Sequence, residues 1–264
     1  MTRLITLLLM IVFKINAFAQ VVSVEFKDKG FLYSDAPTLS FVWQSNEAKA
    51  TLVFILGGEG RLGITPDRKN LGGFYGNTLK PLADATLTRG AFNVVVFDSP
   101  VYLPPGNDYP ASRQSSEHLL RIESVVRHFK ALYGLPVWIM GHSNGAVSIT
   151  EFYKMLQKNG REELVAGAIY SSARNGAKFS DDTQLPILFI AHERDGCAKS
   201  QPSRSRMEFE QQLKTNHKKI RYVLVTGGEA QADNVCASGF HMFYGAGKEA
   251  YTAIDDFVFG NQAQ

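Results

Sequence analysis

Val137-Trp138-Ile139-Met140-Gly141-His142-Ser143-Asn144-Gly145-Ala146 is the stretch on which the reading of this chain turns. Its first four residues are β-branched, aromatic or long and apolar, as in the end of a buried strand, and from about residue 144 to 158 the sequence becomes helix-forming. Between the two lies G-x-S-x-G, Gly141 to Gly145. A strand can pass into a helix over so few residues only where clashing side chains are missing, and the two glycines remove them. The serine between them is then held on a strained backbone with its hydroxyl exposed above the sheet. The helix that starts there favours negative charge developing near Ser143.

Further strand-like runs rich in β-branched and aromatic residues occupy 21–26, 39–44, 51–56, 92–97, 166–170, 187–191 and 220–225. The first two alternate apolar with polar residues and read as half-exposed antiparallel strands. Val94-Val95-Val96-Phe97 and Ile187-Leu188-Phe189-Ile190 are continuously apolar, as strands covered on both faces should be. Leu119, Ile122, Val126, Phe129 and Leu132 recur every three or four residues and predict a helix over about 113–133. Others are expected near 77–88, 144–158, 203–215 and 247–259. This alternation predicts an α/β fold with a mixed, mostly parallel central sheet and helices on both faces. Only residues 173–185 separate the strand near Tyr170 from Pro186, too few for a helical cap domain, so an open pocket is expected.

With 264 residues, 45% of them hydrophobic, 20% charged and two Cys, the chain is excluded from the disordered, collagen-like and disulfide-dense classes. Residues 1–19 read as a signal peptide: Arg3, an apolar run from Leu4 to Phe13, and Ala17-Phe18-Ala19 before Gln20, where cleavage is expected. Lys14 interrupts the run before it is long enough to span a membrane. Residues 20–264 are then a single domain, secreted or periplasmic. Removing Arg3 and Lys14 leaves 26 basic residues against 25 acidic, a net charge of +1. That lacks the bulk positive charge that draws nucleic acid or an anionic membrane, so neither is expected as a partner. Export also favours a disulfide between Cys197 and Cys236 over a metal or redox site or two buried free thiols, and closing a 40-residue loop is worth about 4 kcal/mol in the chain-entropy model.

A serine hydroxyl needs a base, and the base an acid that holds its tautomer. Of six His, His241 lies after the last strand, where the top of the sheet faces the serine. His192, at a strand end, competes with it. His142 should point away from the serine, and His118, His128 and His217 read as surface or partly buried residues. Asp195 sits just past the strand 187–191, with Glu193 as the fallback acid. The order Ser143, Asp195, His241 resembles the α/β-hydrolase superfamily over roughly residues 50–259. Gly57-Gly58-Glu59-Gly60 likewise resembles the glycine-rich oxyanion loop of lipases and esterases. The resemblance implies oxyanion donors from the N–H of Asn144 and of Gly58 or Glu59, and no cofactor. A Cys197–Cys236 bridge would staple the acid loop to the base loop.

The expectation is thus a cap-less serine hydrolase that cleaves small or polymer-linked carboxylic esters, with Tyr102, Leu103 and Met242 lining the pocket. Two other classes stay open at this point. Gly58-Glu59-Gly60-Arg61-Leu62-Gly63 is also a dinucleotide-binding G-x-G-x-x-G after a strand, although Pro66 follows where a helix should open and the strand-end acid, Asp98, is 40 residues beyond Gly58. An inactive hydrolase scaffold serving as a binding protein is the other. A metal site at His192, Glu193 and Asp195 lacks the helical spacing of the common zinc motif. Arg61, Arg68 and Lys69 read as solvated, or as partners for an acidic substrate.

Overall fold

The computed structural model describes residues 18–27, 33, 35–72, 79, 82–83, 91–98, 110–230, 234–237 and 239–260. Eight strands form one sheet: β1 (Phe18–Val24), β2 (Thr38–Gln44), β3 (Ala48–Ile55), β4 (Ala91–Phe97), β5 (Val137–His142), β6 (Gly167–Ser171), β7 (Ile187–His192) and β8 (Ile220–Val225). Their spatial order is β1-β2-β4-β3-β5-β6-β7-β8. β1 and β2 are antiparallel, as β2 and β4 are, and every later pair is parallel. The sheet is therefore mixed as the sequence predicts. β1 starts three residues before the expected run because its register with β2 continues to Phe18↔Gln44. Cleavage after Ala19 would leave Gln20–Val24 paired.

Helices α1 (Pro110–Arg113), α2 (Ser116–Tyr133), α3 (Gly145–Lys158), α4 (Pro202–Thr215) and α5 (Gly247–Phe259) cover the sheet. The single helix expected over 113–133 is split in two, because Ser115 is extended and its hydroxyl accepts from the His118 N–H as the cap of α2. Gly134 ends α2 at φ 64°. The helix expected near 77–88 falls mostly outside the described residues.

Both faces of the inner strands are apolar, and the alternation of side chains divides them between two cores. Val53, Ile55 and Ile139 face α2, α3 and α4 through Ile122, Phe129, Ile149, Phe152 and Phe209. Leu52, Phe54 and Ile190 face α5 through Ala250, Ile254 and Phe257. No helix among the described residues is long and apolar enough to cross a membrane. Between β6 and β7, residues 172–186 carry no helix, so no cap interrupts the sheet there.

The chain leaves β3 for β4 on one side and returns to β5 on the other. That reversal opens a crevice between the C-terminal ends of β3 and β5, where open α/β sheets bind their ligands. The glycine loop that follows β3 and the G-x-S-x-G turn that follows β5 therefore meet.

Candidate active site

Close packing explains both glycines of the turn. A Cβ on Gly141 would lie 2.4 Å from the Gly145 carbonyl oxygen, and one on Gly145 would lie 2.0 Å from that of Ile55. Ser143 between them has φ 53°, in the left-handed region that L residues rarely adopt. Three backbone hydrogen bonds hold the turn: Ser143 N–H to Ser171 O, and Ala146 and Arg174 N–H to Ser143 O. Gly57 comes so near that a Cβ there would sit 3.0 Å from the Cβ of Ser143.

Asn144 is the N-cap residue of α3, yet its side chain makes no capping bond. Its Nδ2 donates to the Gly58 carbonyl at 3.1 Å, tying the glycine loop to the turn. Gly58 has φ 53°, and its N–H donates to no group among the described residues. Farther along, Asp98 accepts from the N–H groups of Leu62 and Ile64, and the Arg68 guanidinium donates to the carbonyls of Leu62 and Gly63 at 2.7 and 2.8 Å. Residues 56–72 carry no helix. The dinucleotide fingerprint fails on that point, since its helix must open at once, and Asp98 is occupied in bracing the loop instead of waiting for a ribose. Arg68 is likewise committed to backbone, whereas Lys69 is exposed.

Asp195, beyond β7, and His241, in a short 3-10 turn at Gly239–Met242, are brought together: His241 Nδ1 lies 2.8 Å from Asp195 Oδ2, with both side chains fully buried. The other carboxylate oxygen accepts from the Cys197 N–H at 2.9 Å. Ser200 Oγ lies 3.0 Å from His241 Nδ1 and donates weakly to Asp195 Oδ2 at 3.4 Å. The far nitrogen, His241 Nε2, is buried and has no hydrogen-bond partner among the described residues. A carboxylate on Nδ1 keeps the proton there and leaves Nε2 as the basic nitrogen.

The competing histidine is excluded by its own bonds. His192 is buried, with Nε2 donating to the Gly227 carbonyl at 3.0 Å and Nδ1 accepting from the Arg194 N–H at 3.1 Å. Its ring stacks on Phe240 at 4.7 Å, and the Arg194 guanidinium lies 4.1 Å from the centroid of that phenyl ring, so both brace the turn that carries His241. Both ring nitrogens being engaged also removes His192 as a metal ligand. Glu193 is exposed against Arg194 at 3.7 Å. Met242 is buried beside His241, while Tyr102 and Leu103 lie outside the described residues.

One histidine lies deeper than its sequence reading. His118 is fully buried, its Nε2 2.8 Å from Ser148 Oγ, and burial, with the nearby charges of Arg113 and Arg121, holds its imidazole well below the usual range. His142 packs its ring 4.9 Å from that of His241, with Nδ1 3.1 Å from Ser171 Oγ. Burial, with His241 adding a smaller effect, keeps it well below the usual imidazole range, hence neutral. Sequence reasoning also missed Ser200, Arg113 and the bracing role of Asp98.

Cys197 and Cys236 form a disulfide with a 2.01 Å S–S bond. It joins the loop of Asp195 to the segment before His241. Replacing both by Ser is expected to lower unfolding free energy by about 4 kcal/mol, read as a drop in denaturation midpoint. Unchanged stability would mean that the denatured chain gains nothing from the link. Behind the serine turn, a cleft of about 660 Å³ is lined by Arg174, Lys178, Arg204 and Glu208, among others. Burial pushes the Glu208 carboxyl above its ordinary range, opposed by the Phe179 N–H. Asn175, which also lines this cleft, ties it to the loop beyond Asp195: its N–H donates to Lys199 O, its Nδ2 donates to Ala198 O and its Oδ1 accepts from the Gln201 N–H.

A scan of protein-family models and a search of curated proteins gave no match. Solved structures do match. An α/β serine hydrolase without a lid from Xanthomonas campestris superposes with a TM-score of 0.56 at 14% identity, covering 91% of this chain and 94% of that one. A dienelactone hydrolase from Anabaena variabilis gives 0.57 at 14%, covering 91% and 96%. An esterase from Pyrobaculum calidifontis gives 0.57 at 15%, covering 90% and 84%. At these identities what is shared is architecture, and with the order of the strands and the turn after β5 it leads to one conclusion: the chain has the α/β-hydrolase fold.

Proposed function

We propose that this chain is an exported serine hydrolase that cleaves carboxylic esters through an acyl-enzyme. The observation that carries the reading is the buried Asp195–His241 pair, its Nε2 left without a partner, at the same end of the sheet as a serine held at positive φ. Ser143 Oγ attacks the ester carbonyl carbon as its proton passes to His241 Nε2. Negative charge on the carbonyl oxygen is taken up by the N–H of Asn144 and by that of Gly58 or Glu59. Collapse of this intermediate breaks the bond to the alcohol, which leaves with the proton from Nε2. Water then repeats the sequence on the acyl-enzyme and frees the acid and Ser143.

The helix-free 172–186 segment favours an open site, which suits acetyl, short acyl or aryl esters, free or attached to a larger carrier, over long lipid chains that need a covered tunnel. The disulfide and the leader-like residues 1–19 support export into an oxidising compartment.

The test is turnover of p-nitrophenyl esters from acetate to decanoate by the wild type and by Ser143→Ala. Activity that falls with chain length and drops by at least about 10⁴-fold in the variant is expected. A folded wild-type protein that neither turns over any ester nor labels at Ser143 with a phosphonate probe would be the inactive scaffold, and would end the enzymatic reading.

A further inference from the structure

Arg113 is the largest of the fully buried side chains, 1% exposed, and it ends the short helix α1. Nη2 donates to the Gly58 carbonyl at 2.7 Å and, at a longer 3.4 Å, to that of Gly57. Nη1 donates to Ser148 Oγ at 3.4 Å, one turn into α3. Ser148 lies in turn 2.8 Å from His118 Nε2. Since His118 is held neutral by burial and by the neighbouring arginines, Nε2 can accept the Ser148 proton, which leaves the Ser148 lone pairs to face Arg113. The chain of bonds runs from α2 through α3 and the buried Arg113 to the glycine loop at the surface.

In a trans peptide the carbonyl and the next N–H point in opposite directions. A guanidinium that gathers two successive carbonyls, Gly57 O and Gly58 O, therefore sends two successive N–H groups, those of Gly58 and Glu59, to the other side of the loop. Successive N–H groups on one side form an anion-binding concavity, and the positive φ of Gly58 permits the arrangement. Asn144 Nδ2, on the same Gly58 oxygen, adds a second anchor from the serine turn. Withdrawal of charge from that carbonyl by a buried cation also strengthens the Glu59 N–H as a donor.

We propose that Arg113 is a positioning residue for the oxyanion donors. It touches no substrate; it fixes the peptides of Gly57-Gly58-Glu59 so that their N–H groups are set before charge develops, and His118 acting through Ser148 holds its guanidinium. This rests on the hydrolase reading above.

Arg113→Gln and Arg113→Lys, with Ser148→Ala as a variant that keeps the cation, test it by three readouts. These are kcat and KM for p-nitrophenyl acetate, the affinity of a trifluoromethyl ketone whose adduct on Ser143 bears an oxyanion, and the affinity of the matching amide, which bears none. Removing one donor outright costs about 10²- to 10³-fold, so losing its support is expected to lower kcat about 10- to 100-fold in the Gln variant, with KM within about threefold. Ketone affinity should fall by the same factor as kcat/KM and amide affinity should hold. The Lys variant should be intermediate, and Ser148→Ala should show the same split on a smaller scale. Should the Gln variant fail to fold, the Lys and Ser148 variants carry the test. Unchanged ketone affinity in folded variants, or ketone and amide affinities falling together, overturns the role of Arg113 alone. A wild type with no turnover and no ketone adduct overturns the hydrolase reading, and this role with it.

Discussion

Asp195→Asn is expected to cut kcat by about 10⁴-fold while leaving the protein folded, the scale set by forcing a catalytic imidazole into its wrong tautomer. The geometry dictates the direction. The Cys197 N–H points at Oδ1 and needs an acceptor there, so the amide introduced by the substitution must turn its oxygen to Cys197 and its NH₂ to His241 Nδ1. Nδ1 then becomes the acceptor, the ring proton moves to Nε2, and the nitrogen that should take the Ser143 proton is already occupied. His241→Ala should be at least as damaging, since the competing ring, His192, is bonded at both nitrogens. Steady-state kinetics, with melting temperature as the control for folding, decide the matter. Asp195→Asn activity within tenfold of wild type would break the assignment.

The largest effect on stability is expected from Gly145→Ala. The new methyl would stand 2.0 Å from the Ile55 carbonyl oxygen, 2.8 Å from its carbon and 2.9 Å from the Leu56 carbonyl oxygen, all of them backbone of β3 or its end. No side-chain rotation relieves such a clash. Either β3 moves away from β5, parting the glycine loop from Ser143, or α3 starts elsewhere. A cost of about 4 kcal/mol or more follows, a fall in Tm on the order of 10 °C in a domain of this size. Gly134→Ala makes the comparison: Gly134 has φ 64° with nothing within 4 Å of the added carbon, so only backbone strain, about 1 kcal/mol, is at stake. Thermal denaturation of the two variants side by side checks the argument. Equal losses would show that the close approach at Gly145, which has no positive φ, costs no more than the backbone strain at Gly134.

What could be read in advance depended on whether the signal was periodic. Eight strands and the helix at 247–259 were legible because apolar side chains alternate or run continuously in the strands and recur every three or four residues in the helix. The ends were less so: β1 is extended to Phe18 by pairing with Gln44, a partner that no local pattern reveals. Ser143, Asp195 and His241 were legible as residue types at strand ends, and Cys197 and Cys236 as a pair. The full burial of His118 was also legible, for it stands four residues before Ile122 and seven before Val125, on the buried stripe of α2. Arg113 was not legible at all. A basic residue beside Ser112 and Gln114 looks solvated in any sequence, and only the packing of α1 against the glycine loop buries it. The same holds for Asp98, which stands too far beyond Gly58 for the ribose partner of a dinucleotide fingerprint and is engaged by two backbone N–H groups.

The order of the strands carries a consequence for how such a protein is made. Ser143 follows β5, in the middle of the sheet, whereas His241 follows β8 at its edge, 98 residues later. A chain emerging from the ribosome exposes its serine well before it has a base to activate it, and stays chemically silent while β7, β8 and their loops are still to come. Under the proposed assignment, hydrolytic competence is therefore the last property this polypeptide acquires, and its onset can serve as a clock for the completion of folding.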